Sequence, residues 1–232
     1  MPDVPCVLIV GASRGLGHAM AAEFLKRGWN VIGTVRAAGR TPLHELADER
    51  RGQLEIETLD IDAPEQIASL RNRLTGRVLD ILFVNAGTTT HDQQVPIGQV
   101  TTEEFIRVMV TNALSPMRVI EALEHLVPAT GLIGAMSSGQ GSITNNETGQ
   151  REVYRGSKAA LNMFMRSFAA RHAGTPRAML LLAPGWIRTD LGGPNAPFTI
   201  EESVPRLVDI LLAKRGIPGL AYQDRLGQTV PW

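Results

Sequence analysis

The chain has 232 residues, enough for one α/β domain that buries its own hydrophobic core. Its 23 Lys and Arg cancel 23 Asp and Glu, which excludes recognition of nucleic acid or an anionic membrane through bulk charge. A hydrophobic share of 44% excludes a disordered chain, and the one cysteine, Cys6, excludes an internal disulfide and fits a reducing cytoplasm.

The amino terminus, Met1-Pro2-Asp3-Val4-Pro5, lacks the basic start of a signal peptide, and no apolar run is long enough to cross a bilayer. Val4–Val10 reads as a strand covered on both faces. A glycine-rich turn leads into a helix over Leu16–Arg27, with Ala19, Ala22 and Leu25 or Phe24 inward and Gly28 closing it. Strands follow at Trp29–Val35, Leu54–Leu59 and Leu79–Asn85, separated by helices at Thr41–Arg51 and Ala63–Leu74, with Asp62 as the N-cap of the latter. A long helix, Thr101–Leu126, opens on a capping-box-like Thr101-Thr102-Glu103-Glu104. Then come a strand at Leu132–Met136, a helix at Val153–Ala173, a strand at Ala178–Ala183, a helix at Glu201–Ala213 and a short strand at Gly219–Gln223. This alternation predicts a doubly wound α/β fold, about seven parallel strands with helices on both faces, in a single domain spanning 1–232. The loosest stretches, Gly87–Val100, Gly139–Glu152 and Leu191–Phe198, all follow strand carboxyl ends, where such sheets bind ligands.

The first of these turns is Gly11-Ala12-Ser13-Arg14-Gly15-Leu16-Gly17. Glycines there let backbone N–H groups approach a pyrophosphate at a helix amino end, so the turn predicts a dinucleotide site. The Gly-x3-Gly-x-Gly spacing with Ser-Arg inside it resembles the short-chain dehydrogenase/reductase family, with Val10 standing where that family often has Thr. The end of the second strand carries no acid to hold the free ribose hydroxyls of NAD and reads Thr34-Val35-Arg36 instead. Arg14 and Arg36 together suit a 2′-phosphate, so NADPH/NADP+ is expected over NADH/NAD+.

Tyr154-Arg155-Gly156-Ser157-Lys158 puts a phenol and an ammonium four residues apart, on one face of a helix. A nearby cation favours phenolate and so fits Tyr154 to proton transfer near neutral pH. Ser137-Ser138 ends a strand, where a hydroxyl can donate to an oxygen gaining charge. Asn112 is a poor helix former placed in mid-helix.

The resemblance covers nearly the whole chain and assigns further roles. It implies Asp60 and Ile61 at the adenine, Asn85-Ala86-Gly87 along the cofactor, and Pro184, Gly185, Ile187 and Thr189 at the nicotinamide carboxamide. It implies Ser138, Tyr154, Lys158 and Asn112 as the catalytic set, with Lys158 on the nicotinamide ribose and Asn112 binding a relay water. The interval from Ser138 to Tyr154 exceeds the family's usual one, so Ser137 and Ser142 stay open as alternatives. Tyr154-Arg-x-Ser-Lys-x-Ala-Leu-Asn162 and the terminal Val230-Pro231-Trp232 are most similar to the C-factor and sniffer-like carbonyl-reductase branch. The implied activity is reversible NAD(P)H-dependent reduction of a ketone or aldehyde with Tyr154 as general acid/base; the rival is a dinucleotide-binding signalling protein with little turnover.

Gly139–Ile143, Trp186 and Leu191–Phe198, with Thr88–Val95 nearby, are expected to line an open pocket of mostly apolar or neutral residues, so a small apolar carbonyl substrate is expected rather than a charged acid, and a charged ligand held against Arg188 would overturn that. No metal is expected, since the five histidines and Cys6 lack ligand spacing. The resemblance also implies a homodimer or homotetramer through the two long helices, with Met163, Phe164, Met165 and Phe168 divided between core and interface.

Overall fold

Apolar runs without alternation become strands covered on both faces, and the chain has enough of them to build one sheet. The computed structural model describes residues 4–36 and 39–232; Met1 to Asp3 of the amino-terminal reading lie outside the described residues. The strands are β1 (Cys6–Val10), β2 (Asn30–Val35), β3 (Leu54–Thr58), β4 (Ile81–Val84), β5 (Leu132–Met136), β6 (Ala178–Ala183) and β7 (Gly219–Asp224). They pair in parallel in the order β3-β2-β1-β4-β5-β6-β7. Every residue of β1, β4, β5 and β6 is buried, whereas the edge strands β3 and β7 are only partly so.

The helices are α1 (Gly15–Lys26), α2 (Pro42–Glu49), α3 (Pro64–Arg73), α4 (Thr102–Met109), α5 (Ser115–Leu123), α6 (Glu152–Arg171) and α7 (Ile200–Lys214). Met20 and Phe24 of α1, Leu43 of α2 and Leu207 of α7 join Ile9 and Leu180 in the core of one face. Leu70 of α3, Ile120 of α5 and Met165 and Phe168 of α6 join Leu8 and Leu82 on the other. Among the described residues no helix is long and apolar enough to cross a membrane.

The chain runs outward from β1 through β2 to β3, then crosses to β4 on the other side of β1. The carboxyl ends of β1 and β4 therefore border the crevice in which such folds bind ligands. Their register, Val7 with Ile81 through Val10 with Val84, sets the glycine turn beside Asn85.

Four local expectations change. The inward stripe of α1 is Gly17, Met20, Ala21, Phe24 and Leu25, leaving Ala19 and Ala22 at its flanks, because Met20 and Phe24 set the inward face and the helical spacing carries Gly17 and Ala21 with them. The long helix is interrupted: a π-helical turn, Val110–Leu114, separates α4 from α5, and a 3-10 turn, Glu124–Leu126, ends it. Asp62 does not cap α3, whose N-cap is Ala63; its carboxylate instead accepts from Thr111 Oγ1 at 2.5 Å and Ser115 Oγ at 2.7 Å, bracing the π turn. Only half of the capping box forms, with Thr101 Oγ1 accepting from Glu104 N while the Glu104 carboxylate turns to His91 N and Arg107.

Candidate active site

The glycine turn is shaped by close contacts that only glycine allows. Gly11 has φ of +87°, and a Cβ there would lie 2.8 Å from the Ala86 Cα. At Gly17 a Cβ would lie 2.0 Å from the Gly11 carbonyl oxygen, which accepts from Asn85 Nδ2 at 2.8 Å. Asn85 N and Ala86 N both donate to the Val10 carbonyl at 2.9 Å. Thr34 Oγ1 accepts from Gly11 N at 2.9 Å, so β2 supplies a hydroxyl to the turn that begins after Val10. That contact had no signal in the sequence beyond the presence of Thr34.

The amino end of α1 has no side-chain cap and no acid in its first turn, leaving its N–H groups and partial positive charge to an anion. Arg14 is exposed and pairs with Asp190 at 2.5 Å, which ties the turn to the loop after β6. Arg36 is exposed just beyond β2. Asp60, past β3, accepts from Asp62 N through Oδ1, and Ile61 beside it is buried. Gly185 takes φ of +87° after β6, and Thr189 Oγ1 accepts from Gly192 N at 3.0 Å. The Thr189 methyl lies 3.9 Å from where a Gly15 Cβ would be, so the start of α1 approaches the loop after β6 at Thr189.

The second cluster is assembled from four separate segments. Lys158, on α6, is buried, and its Nζ donates to the Met136 carbonyl at 2.9 Å and lies 5.8 Å from the centre of the Tyr154 ring. A Cβ on Gly87 would lie 3.3 Å from Asn112 Oδ1 and 3.4 Å from Lys158 Nζ, so the end of β4 passes close to both. Asn112 is fully buried in the π turn; its Oδ1 accepts from Thr88 N at 2.7 Å, and its Nδ2 donates to the Thr88 carbonyl at 2.8 Å and Ser157 Oγ at 2.9 Å. Ser157 Oγ in turn donates to the Tyr154 carbonyl at 2.8 Å. Asn112 and Ser157 thus couple the post-β4 loop to α6. Ser157 was visible only as a letter inside the Tyr154–Lys158 motif.

Three serines compete for one role, and their surroundings separate them. Ser137 is buried and donates to Asn162 Oδ1 at 2.6 Å; Ser142 is buried and accepts from Asn145 N at 3.1 Å. Ser138 is partly open, caps the 3-10 turn Gly139–Gly141 and interacts through its side chain with Tyr154. Its carbonyl accepts from the Tyr222 hydroxyl, and Asn162 Nδ2 donates to the Gly141 carbonyl at 3.2 Å. Buried polar groups therefore hold the Ser138 loop on both sides, through Tyr222 and Asn162.

The electrostatics depart from the simple expectation. Burial holds the Tyr154 hydroxyl above its ordinary range, although the residue as a whole is only partly buried; the Ser138 side chain and then the Arg151 charge pull it down. The Lys158 ammonium faces the Met136 carbonyl, and burial pushes its own pKa down to about 8. Arg188 is committed to the Leu191–Phe198 stretch, donating from Nε to the Ala196 carbonyl at 2.7 Å. Burial raises the Cys6 thiol to about 11, so it is no nucleophile.

A parallel sheet with a glycine-walled turn at its first βα junction and a Ser, Tyr, Lys and Asn cluster across the crevice defines a dinucleotide-dependent oxidoreductase architecture. Residues 5–198 match the family model described as short chain dehydrogenase, and the chain belongs to that family. A solved structure described as a short-chain dehydrogenase/reductase from Burkholderia multivorans, with bound NADP, is 68% identical over 99% of this chain and 100% of that one, with a TM-score of 0.98. A carbonyl reductase from Pseudomonas aeruginosa PAO1 in complex with NADP is 35% identical over 99% of this chain and 100% of that one, with a TM-score of 0.91. The C-signal protein of Myxococcus xanthus is 33% identical over 69% of this chain and 96% of its own length. These relatives agree with the branch that the Tyr154–Asn162 pattern resembles.

Proposed function

We propose that the protein is an NADP(H)-dependent reductase of an aldehyde or ketone carbonyl, running in reverse as an alcohol dehydrogenase. The residues present fit the cofactor: Gly11, Gly15 and Gly17 open a cradle that side chains would fill, and the uncapped start of α1 suits a pyrophosphate. Asn85, Ala86 and Gly87 would lie along it, Asp60 and Ile61 at the adenine, and Pro184, Gly185, Ile187 and Thr189 at the carboxamide. Arg14 and Arg36 would hold a 2′-phosphate, Arg14 exchanging its exposed pair with Asp190 for a doubly charged partner. When bound, the cofactor supplies the hydride that the carbonyl carbon accepts.

The protein's part is to hold and move a proton. Tyr154 gives its phenolic hydrogen to the carbonyl oxygen as the C=O π bond becomes a C–H and an O–H bond. Ser138 donates a hydrogen bond to the same oxygen while charge builds on it. Tyr154 is then a phenolate, which the Lys158 ammonium stabilises, and water held near Lys158 and Asn112 returns the proton. The observation that carries this reading is the buried Lys158 ammonium, 5.8 Å from the Tyr154 ring, beside the partly open Ser138 at the end of β5. Tyr154→Phe is expected to keep NADPH affinity within about threefold and to lose at least about 100-fold in turnover. The check is NADPH oxidation over a panel of aldehydes and ketones.

The likeness to the C-signal protein favours a second reading, a dinucleotide-binding signalling protein. It would be supported by a wild-type protein that binds NADPH yet oxidises none with any carbonyl in the panel.

A further inference from the structure

Three arginines, Arg151, Arg188 and Arg225, follow the carboxyl ends of β5, β6 and β7, and two are committed elsewhere. Arg188 donates to the Ala196 carbonyl and Arg225 lies 3.6 Å from the centre of the Phe198 ring, while the charges of both act on Glu202 of α7. Arg151 differs. Every ion pair among the described residues is made by another cation. Its guanidinium carbon sits 5.8 Å from the centre of the Trp186 ring, and its charge reaches the Tyr154 hydroxyl. Nearby carboxylates serve main-chain groups instead, Glu152 accepting from Ile97 N and Asp92 from Gln94 N.

The backbone holds Arg151 there against its own preference. Gln150 and Arg151 both take left-handed φ values, 58° and 49°, which residues with side chains seldom adopt. Two contacts hold the segment: Arg155 Nε donates to the Gln150 carbonyl at 2.9 Å, and Arg151 N donates to the Gln93 carbonyl at 3.2 Å. Strain of this kind, held by surrounding contacts, is concentrated at functional positions. Beside the cation Trp186 is 46% exposed, and the loops after β5 and β6 also expose Ile143 (76%) and Leu191 (41%). A cation without an anion, beside the acid and bordered by apolar surface, fits an amphiphilic ligand.

We propose that Arg151 is a specificity-determining residue that pairs with a carboxylate on the carbonyl substrate, so that the preferred substrates are oxo-acids with an apolar body lying on Trp186. This deepens the reductase reading and rests on it. Guanidinium suits the task because its planar fork pairs with carboxylate in two hydrogen bonds.

The test compares NADPH-dependent reduction of 3- and 4-carboxybenzaldehyde with that of benzaldehyde, which shares the ring and lacks the charge. The readout is the ratio of kcat/KM for each acid to that for benzaldehyde, because any change in Tyr154 common to all substrates cancels. The wild type is expected to favour at least one acid, and added salt to shrink that preference. Arg151→Gly, which fits the left-handed backbone, should lower the ratio at least about tenfold, mainly through KM of the acid, and Arg151→Lys should restore part of it. A wild-type ratio at or below one for both acids, or a ratio that Arg151→Gly leaves unchanged, overturns the proposal. Silence with all three aldehydes while NADPH binds overturns instead the reductase reading, and this proposal falls with it.

Discussion

The glycine turn and the Tyr154 cluster face each other across one crevice but are built in opposite ways. The turn is local: Gly11 to Gly17 are seven consecutive residues whose shape follows from missing side chains and backbone N–H groups, with Asn85 and Thr34 as struts. The cluster is distributed: Ser138 comes from the end of β5, Thr88 from beyond β4, Asn112 from a π turn, and Tyr154 with Lys158 from α6. A local device fails when a single added atom collides with backbone. A distributed one weakens by steps, as the hydrogen bonds joining its elements are removed.

The largest expected effect comes from breaking the local device. In Gly17→Ala the new Cβ falls 2.0 Å from the Gly11 oxygen and 2.6 Å from Asn85 Nδ2, so the turn must open. The cost is about 3 kcal/mol or more, which corresponds to a loss in NADPH affinity of more than about 100-fold if the strain falls on the bound geometry. Fluorescence titration with NADPH checks this, and wild-type affinity in the variant would show that the turn is not the phosphate cradle.

A smaller and differently shaped effect is expected in the distributed cluster. Asn112→Ala removes three hydrogen bonds and leaves the Thr88 amide and Ser157 hydroxyl without that partner. Stability should fall by about 2–4 kcal/mol and kcat by at least about tenfold, with NADPH affinity altered less than about threefold. Thermal melting, steady-state kinetics and NADPH titration separate the three; an unchanged kcat would reduce Asn112 to a structural strut.

The same contrast explains what could be read from the letters. The sheet, its parallel sense and nearly every helix were legible because strands such as Leu8–Val10 are apolar without alternation and the intervening segments keep a helical period. The glycine turn and the Tyr154–Lys158 spacing were legible because their chemistry lies within one short segment. The π turn was not: its extra residue leaves Val108, Val119 and Ile120 inward on either side, so the apolar pattern still reads as one helix. Asp62 could not be told from a helix cap, because its partners Thr111 and Ser115 are remote in sequence. Nor could the second cation beside Tyr154 be foreseen. Lys158 lies one turn away on the helix, with its ammonium at the Met136 carbonyl, while the charge of Arg151 also reaches the hydroxyl, brought in by left-handed backbone that the sequence does not announce.

Lys158 gives the smallest effect and the sharpest contrast, because one proton there moves two quantities in opposite directions. Burial lowers its pKa from 10.5 to about 8, so the folded protein sheds this proton while the unfolded chain still holds it. Below about pH 8 the burial penalty is fully present; through the window from about 8 to 10.5 it is relieved, and this residue's share of stability rises with pH. Cofactor affinity should respond the other way if Lys158 holds the ribose hydroxyls as proposed, since the neutral amine is a weaker donor than the ammonium, and the NADPH dissociation constant should climb about 3- to 10-fold between pH 7 and 9. Cys6, Tyr154 and Tyr222, all raised by burial, lower stability as pH climbs into the alkaline range, so the difference between wild type and Lys158→Met is the quantity to follow. That variant should lose both slopes attributed to Lys158. If its NADPH affinity still fell with pH as steeply as the wild type's, the ammonium would play no part in holding the cofactor, and the distributed half of the crevice would be bound to the local half through other groups.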